Sequence, residues 1–517
     1  METYVIINIG GNIMKKIGLA FVGVLLASCC FFTSCASMSG AKDMGGYYYP
    51  TYQETGITNN DDSYTEIVEN AFVKTSERAS SYFSIDANTA SYPNLRSLIG
   101  KNGAIDKDAV RIEEMLNYFD YNYETPTDGS ILALTSSVFD TPYNSETKLL
   151  TIGLAAQEID FTEQRSNIVF LIDTSGSMYG SDRLGLVQEA FKLMTQNLND
   201  QDRVSIVTYA SGVGVALDGA YGYEKKKIMA VIEDLEASGS TAGSKGIQKA
   251  YEVAQNHFIE GGNNRIILAT DGDFNVGITG DDALKEYIAE KRETGVYFSI
   301  FGVGNAGNFK SSKVEGLALN GNGTYSYLDS VKEAKRALVD EMGGTLLTVA
   351  KDVKAGITFN PEYVDSYRLI GYENKLLTQE EFENSETDAG ELGSGHKVTV
   401  AYEIKLTEKA FELEDNLAQV VVKYKPTENS GGLQETSEEI YLDVKTSAYH
   451  SSLTVQDVFV AGVIEFGLLL RNSNYKADAS LSSLIERLFS FEELANDEFK
   501  EEFRQLVKKY AENQKNE

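Results

Sequence analysis

Asp173, Ser175 and Ser177, in the run Asp173-Thr174-Ser175-Gly176-Ser177, place one carboxylate and two hydroxyls at positions i, i+2 and i+4 directly behind the apolar stretch 167–172. Hard divalent cations prefer oxygen donors, and three such oxygens on one tight turn can point at a single ion. Gly176 is expected to let the backbone turn sharply between them. The competing reading is a strand-to-helix turn whose Asp and Ser side chains only cap the next helix. The five residues by themselves do not separate the two.

A cation site needs further oxygens from other loops, and in an open α/β sheet those loops lie beyond the carboxyl ends of neighbouring strands. Asp271 directly follows the apolar run 265–270, so its carboxylate is expected on the same edge as Asp173. Thr241, in Ser238-Gly239-Ser240-Thr241-Ala242-Gly243, stands in a glycine-flanked loop just before a predicted helix. Together Asp173, Ser175, Ser177, Thr241 and Asp271 bring two negative charges and three hydroxyls. That is enough to hold a divalent ion while leaving one coordination position for an incoming carboxylate.

The elements that must position these residues follow from the hydrophobic pattern. Between about 165 and 345 apolar runs alternate with amphipathic stretches, the signature of a parallel sheet covered on both faces. Strands are predicted at 167–172, 203–209, 265–270, 296–303 and 324–328, and helices at 182–198, 224–235, 244–258, 281–293, 310–319 and 330–343. Upstream, the pattern predicts strands at 82–86, 131–134 and 149–154 and helices at 92–99 and 108–118. Downstream it predicts strands at 349–359, 366–372, 398–406 and 418–424, then helices at 458–470, 479–489 and 499–510. Each flank alone is short of strands for a sandwich, so the two are expected to combine into one β-rich unit. The fold class is therefore α/β, with a central doubly wound, mostly parallel sheet, a β-rich region and a C-terminal helical segment.

Length and composition bound the rest. A chain of 517 residues, 42% hydrophobic, can bury two or three cores. A net charge of −31, from 77 acidic against 46 basic residues, argues against nucleic acid as a partner. Met14-Lys15-Lys16 and the 17–32 apolar run read as the n- and h-regions of a signal peptide, which makes Met14 the expected start. The run is shorter than the roughly 18–20 residues a spanning helix needs. It ends in Leu26-Ala27-Ser28-Cys29 and Phe32-Thr33-Ser34-Cys35, both similar to bacterial lipoprotein cleavage boxes. Cys35 is the expected acylated residue, with Cys29 the alternative. All three cysteines lie here, so neither a disulfide nor a thiolate metal site is expected in the mature chain. The expected division is 1–34 signal peptide, 35–78 flexible tether, 79–162 N-terminal flank, 163–345 central domain, 346–450 β-rich region and 451–517 helical region.

The turn Asp173-x-Ser175-x-Ser177, the later loop Thr241 and the strand-end Asp271 resemble the metal-ion-dependent adhesion site of von Willebrand factor type A domains. The resemblance implies that these five residues hold magnesium, or else calcium or manganese, and that the ion accepts an acidic side chain of a protein ligand. The segments 82–92, 111–119, 369–374 and 388–393 are further similar to bacterial lipoproteins that flank a type A domain with characteristic N- and C-terminal regions. Some members of that group carry a chloride-channel-like label. No second apolar segment long enough to span a membrane supports conduction here. The implied address is the cell envelope, lipid-anchored, at the outer membrane or cell surface rather than in the cytoplasm.

Other motifs compete for attention. Gly302-x-Gly304-x-x-Gly307, with Asp329 further on, formally matches a dinucleotide fingerprint, but it sits on a late strand of the sheet. Asp271-x-Asp273-x-Asn275, with Asp282 at the twelfth position, resembles a calcium loop, but Val276 stands where such loops need glycine. Gly243-Ser244-Lys245 breaks the order a phosphate loop requires. His257, His396 and His450 show no ligand spacing and no obvious place beside Ser175 or Ser177, so a serine nucleophile lacks its base. No enzymatic activity is expected. A metal-dependent hydrolase and a metal-indifferent structural envelope protein stay open as alternatives.

Overall fold

Ser166–Asp173 is buried along its whole length at the centre of a six-stranded sheet in the computed structural model, which describes residues 64–516 apart from position 86 and the stretches 161–163, 241–242, 273–280, 305–310, 342–343, 345, 410–413 and 432–435. The strand order is Tyr325–Leu328, Val296–Val303, Asn263–Thr270, Ser166–Asp173, Arg203–Tyr209 and Val213–Tyr221. The first five run parallel, and the last pairs antiparallel with Arg203–Tyr209. Side chains alternate along the central strand. Ile168, Phe170 and Ile172 pack with Val187 and Phe191 of helix Leu184–Gln196, while Val169 and Leu171 pack with Ile247 and Tyr251 of helix Gly243–Asn256. Two covered faces explain an unbroken apolar run, each large side chain contributing roughly 1.5–3 kcal/mol on burial.

The edge strand Val213–Tyr221 escaped the sequence pattern because most of its residues are exposed or half-exposed. The helix expected over 330–343 is shorter. Val331–Lys335 passes into a π turn at Arg336–Asp340.

The flanks interleave. One sheet runs Val73–Lys74, Val364–Ile370, Lys397–Leu406, Lys148–Ala156, Leu132–Asp140, Tyr449–His450. The other runs Leu376–Leu377, Ser80–Ser84, Thr348–Phe359, Asn416–Pro426, Glu438–Lys445, with Gly390–Gly393 also paired to Thr348–Phe359. Lys148–Ala156 from before the central domain thus pairs with Lys397–Leu406 from after it, and Ser80–Ser84 pairs with Thr348–Phe359. Phe83, Ile152, Phe359, Tyr367 and Tyr402 share one core between these sheets. Neither flank could close that core alone.

Residues 64–78 were expected within the tether, yet they follow the folded body. Val73 and Lys74 pair with Tyr367 and Ser366, and the Asn70 side-chain amide donates to the carbonyls of Leu369 and Gly371 at 3.2 and 2.9 Å. Polar composition concealed this because main-chain pairing needs no apolar side chain.

A second apolar core joins N-terminal and C-terminal helices through Tyr92, Met115, Phe119, Phe459, Phe466 and Phe503. Helix Val455–Arg471 starts in a capping box between Thr454 and Asp457 and stops at Asn472, which is left-handed. The helix expected over 108–118 is interrupted. Val110 is extended between Lys107–Ala109 and Ile112–Asn117.

Charged groups join the central domain to these flanks. Arg96 donates to Asp329 at 2.6 and 2.7 Å, to Glu333 at 2.8 Å and to Glu502 at 2.5 Å. Arg111 lies 3.5 Å from Glu315, and Arg292 lies 3.0 Å from Asp388. Asp329 is therefore committed to a buried ion cluster, which accounts for it without a nucleotide.

Candidate metal centre

Asp173 is the last residue of its strand and is fully buried. Its Oδ1 accepts the Ser175 N–H at 2.9 Å, which folds the chain back so that the Ser175 and Ser177 hydroxyls lie 3.0 Å apart. A short 3-10 turn, Gly176–Met178, carries Ser177. Thr174 anchors this loop to the next strand, its N–H donating to the Tyr209 carbonyl at 2.9 Å.

The neighbouring loop is stitched to the same turn. Ser238 N–H donates to the Thr174 carbonyl at 2.8 Å, and Gly176 N–H to the Gly239 carbonyl at 2.9 Å. Ser240 N–H donates to the Ser211 hydroxyl at 2.9 Å. Thr241 itself lies outside the described residues. Gly176 opens that tight turn without taking the left-handed conformation. Its smallness serves a close approach instead, since a Cβ there would stand 3.2 Å from the Gly239 carbonyl oxygen. Gly239 is the left-handed residue, at φ +81°, and a Cβ on it would strike the Ser211 hydroxyl.

Asp271 follows its strand and is half-buried, and Gly272 turns the chain away at φ +86°. Its charge is felt at Asp173. Burial pushes the Asp173 carboxyl up to about 6; the hydrogen bonds from Ser175 oppose that rise and the Asp271 carboxylate adds to it. Two residues that the sequence reading passed over also face Asp173. The Thr270 hydroxyl donates to its Oδ2 at 3.3 Å, and fully buried Tyr209 stands opposite Asp173 on the adjacent strand. Strand register would have pointed to them, because Asp173 pairs with Tyr209 and Ile172 with Ala269.

The donor set fits a hard cation. A buried carboxylate with a raised proton affinity, a second carboxylate beside it and two adjacent hydroxyls form a site that a positive charge relieves. Among the described residues no group of three or more His, Cys, Asp or Glu side chains converges, so hydroxyls must complete the ligand set. Of the competing calcium-loop residues, Asp273, Asn275 and Val276 lie outside the described residues, and Asp282 is exposed. The histidines are engaged elsewhere. His257 bonds to Asp218, His450 to Asp457, and the His396 Nδ1 accepts the Gly393 N–H.

With a folded pKa of about 6 against roughly 3.9 unfolded, metal-free Asp173 costs nothing below pH ~4 and its full penalty above pH ~6. Asp173→Asn is expected to stabilise the metal-free protein at pH 7.5 by up to ~3 kcal/mol and at pH 4 by almost nothing. Urea melts at the two pH values in chelator test this, and equal shifts would refute the assignment.

The family model described as von Willebrand factor type A domain matches residues 167–340, that described as von Willebrand factor matches 58–151, and that described as Uncharacterized protein YfbK, C-terminal matches 344–512. The Uncharacterized protein YfbK of Escherichia coli is 38% identical over 390 residues, covering 74% of this chain and 67% of that protein. Human Inter-alpha-trypsin inhibitor heavy chain H3 is 25% identical over 193 residues, covering 35% of this chain and 21% of that protein. Among solved structures, a von Willebrand factor type A protein from Catenulispora acidiphila aligns with a TM-score of 0.38 at 17% identity, covering 67% of this chain and 80% of that one.

Proposed function

This chain belongs to the bacterial YfbK-like family of von Willebrand type A domain proteins, and from that premise we propose that it is a cell-envelope lipoprotein that holds a divalent cation at a metal-ion-dependent adhesion site and binds a protein ligand through it. Type A domains commonly bind a divalent metal and commonly act as protein-interaction modules. One observation carries the reading for this chain. Buried Asp173, with the paired hydroxyls of Ser175 and Ser177 and the charge of Asp271, gathers oxygen donors at one strand edge.

Asp173, Ser175, Ser177, Thr241 and Asp271 are the residues assigned to hold the ion, with magnesium the first candidate and calcium or manganese the others. The bound ion supplies a Lewis-acidic position for a partner's carboxylate. The chain's own groups orient the site: Ser175 and Thr270 hold the Asp173 carboxylate, and Arg183 holds the Ser177 carbonyl. Binding rather than turnover is the reading because each histidine is engaged elsewhere, which leaves Ser175 and Ser177 without an evident base.

Capture from envelope extracts on immobilised protein tests the function. A partner retained in magnesium and released by chelator is the expected result. Retention that ignores the chelator would favour the metal-indifferent structural role. For the anchor, palmitate labelling in the native host is expected to be lost in Cys35→Ser. Loss in Cys29→Ser instead would move the acylation site, and labelling of neither would refute the lipoprotein reading.

A further inference from the structure

Arg265 lies near the start of strand Asn263–Thr270, roughly 20 Å of strand away from the Asp271 edge. It is among the largest fully buried side chains of the protein, at 1% exposure. A guanidinium carries five N–H donors and no acceptor. Here Nη1 donates to the Ser299 hydroxyl at 2.7 Å, Nη2 reaches the Leu346 carbonyl only at 3.5 Å, and Nε has no acceptor among the described residues. Nε, unpaired among the described residues, and the weakly held Nη2 form one edge of the planar fork. That edge matches a planar, two-oxygen anion.

Arg265 lines a cavity of about 40 Å³ between the central domain and the sandwich, walled by Glu315, Thr324, Thr348, Glu391 and His396. One water needs roughly 10–15 Å³ on this measure, so the space admits a few waters or one compact anion. The acidic neighbours do not fill the role. Glu315 is turned to Arg111 and Lys375, at 3.5 and 3.7 Å. Glu391 makes no ion pair with Arg265, and burial pushes its carboxyl up to about 7.

We propose that this cavity is a binding site for a small planar oxyanion, a carboxylate of formate or acetate size, held by the Nε and Nη2 edge of Arg265 and securing the central domain against the sandwich. The site is independent of the cation site and of its occupancy.

The test uses the full mature chain. Formate or nitrate is expected to raise the unfolding midpoint saturably, where chloride at matched ionic strength raises it less. Arg265→Lys keeps the charge but loses the fork, and is expected to abolish the difference between the anions. A crystal grown in nitrate should show planar density on Arg265. An equal effect of chloride, a retained difference in Arg265→Lys, or only water on Arg265 in that crystal would each overturn the proposal. If the lysine variant does not fold, the wild-type titration and crystal decide alone.

Discussion

Asp173→Ala is expected to remove magnesium binding, measured by titration calorimetry as a saturable heat in the wild type that vanishes in the variant. Asp173 is one of two carboxylates in the proposed ligand set, and its position at the strand end is fixed by Ser175 and Thr270. Losing it halves the negative charge that offsets dehydration of the ion. Disturbing a mere supporting group costs roughly 10–100-fold in affinity, so loss of the carboxylate itself should exceed ~100-fold. The fold should survive, because a buried carboxylate with a raised pKa is destabilising when no cation is present. Asp271→Ala is expected to behave alike on binding. Wild-type protein that gives no heat at millimolar magnesium, calcium or manganese would sink the cation site. Retained binding in Asp173→Ala would place it elsewhere.

Arg96→Ala is expected to cost about 3–5 kcal/mol of stability, the range for breaking a buried ion pair from one side. Arg96 is nearly buried and serves three carboxylates, one from the C-terminal helix and two from the central domain. Its guanidinium also donates to the Tyr118 hydroxyl at 2.9 Å. Without it Asp329 loses its ion-pair partner, Glu502 keeps only Lys332, and Glu333, fully buried, keeps only Arg336 and the Tyr118 hydroxyl. Arg96→Lys should recover only part of the loss, since an ammonium cannot reproduce the fork. Chemical denaturation reads both variants, and the defect should shrink as pH falls and the stranded carboxylates take up protons. A loss below ~1 kcal/mol would mean that the junction rearranges and Arg96 does not hold it.

Much of the central domain was legible because its strands are buried on both faces. A run such as Ile168-Val169-Phe170-Leu171-Ile172 reads as a parallel-sheet strand whatever surrounds it, and the oxygen cluster behind it is contiguous in sequence. Val213–Tyr221 was not legible, since an edge strand with exposed side chains carries little hydrophobic signal. Val73–Lys74 was hidden for a related reason, being held by main-chain pairing. Tyr209 and Thr270 were invisible as site residues because their roles depend on strand register.

Local chemistry alone therefore determined the alternation of strands and helices, the Asp173-Thr174-Ser175-Gly176-Ser177 turn and the place of Asp271 behind its strand. These depend on side-chain period and chain direction, which a linear string contains. Tertiary structure alone decided how the flanks, expected to combine, interleave in two sheets, that Arg96 ties three segments together, and that Arg265 is buried with its Nε unpaired among the described residues. Those facts rest on contacts between residues hundreds of positions apart, and on how much water each charge has lost. The turn's meaning changed in the same way: its glycine makes room for a neighbouring carbonyl, and its aspartate is poised by burial as much as by the charge beside it.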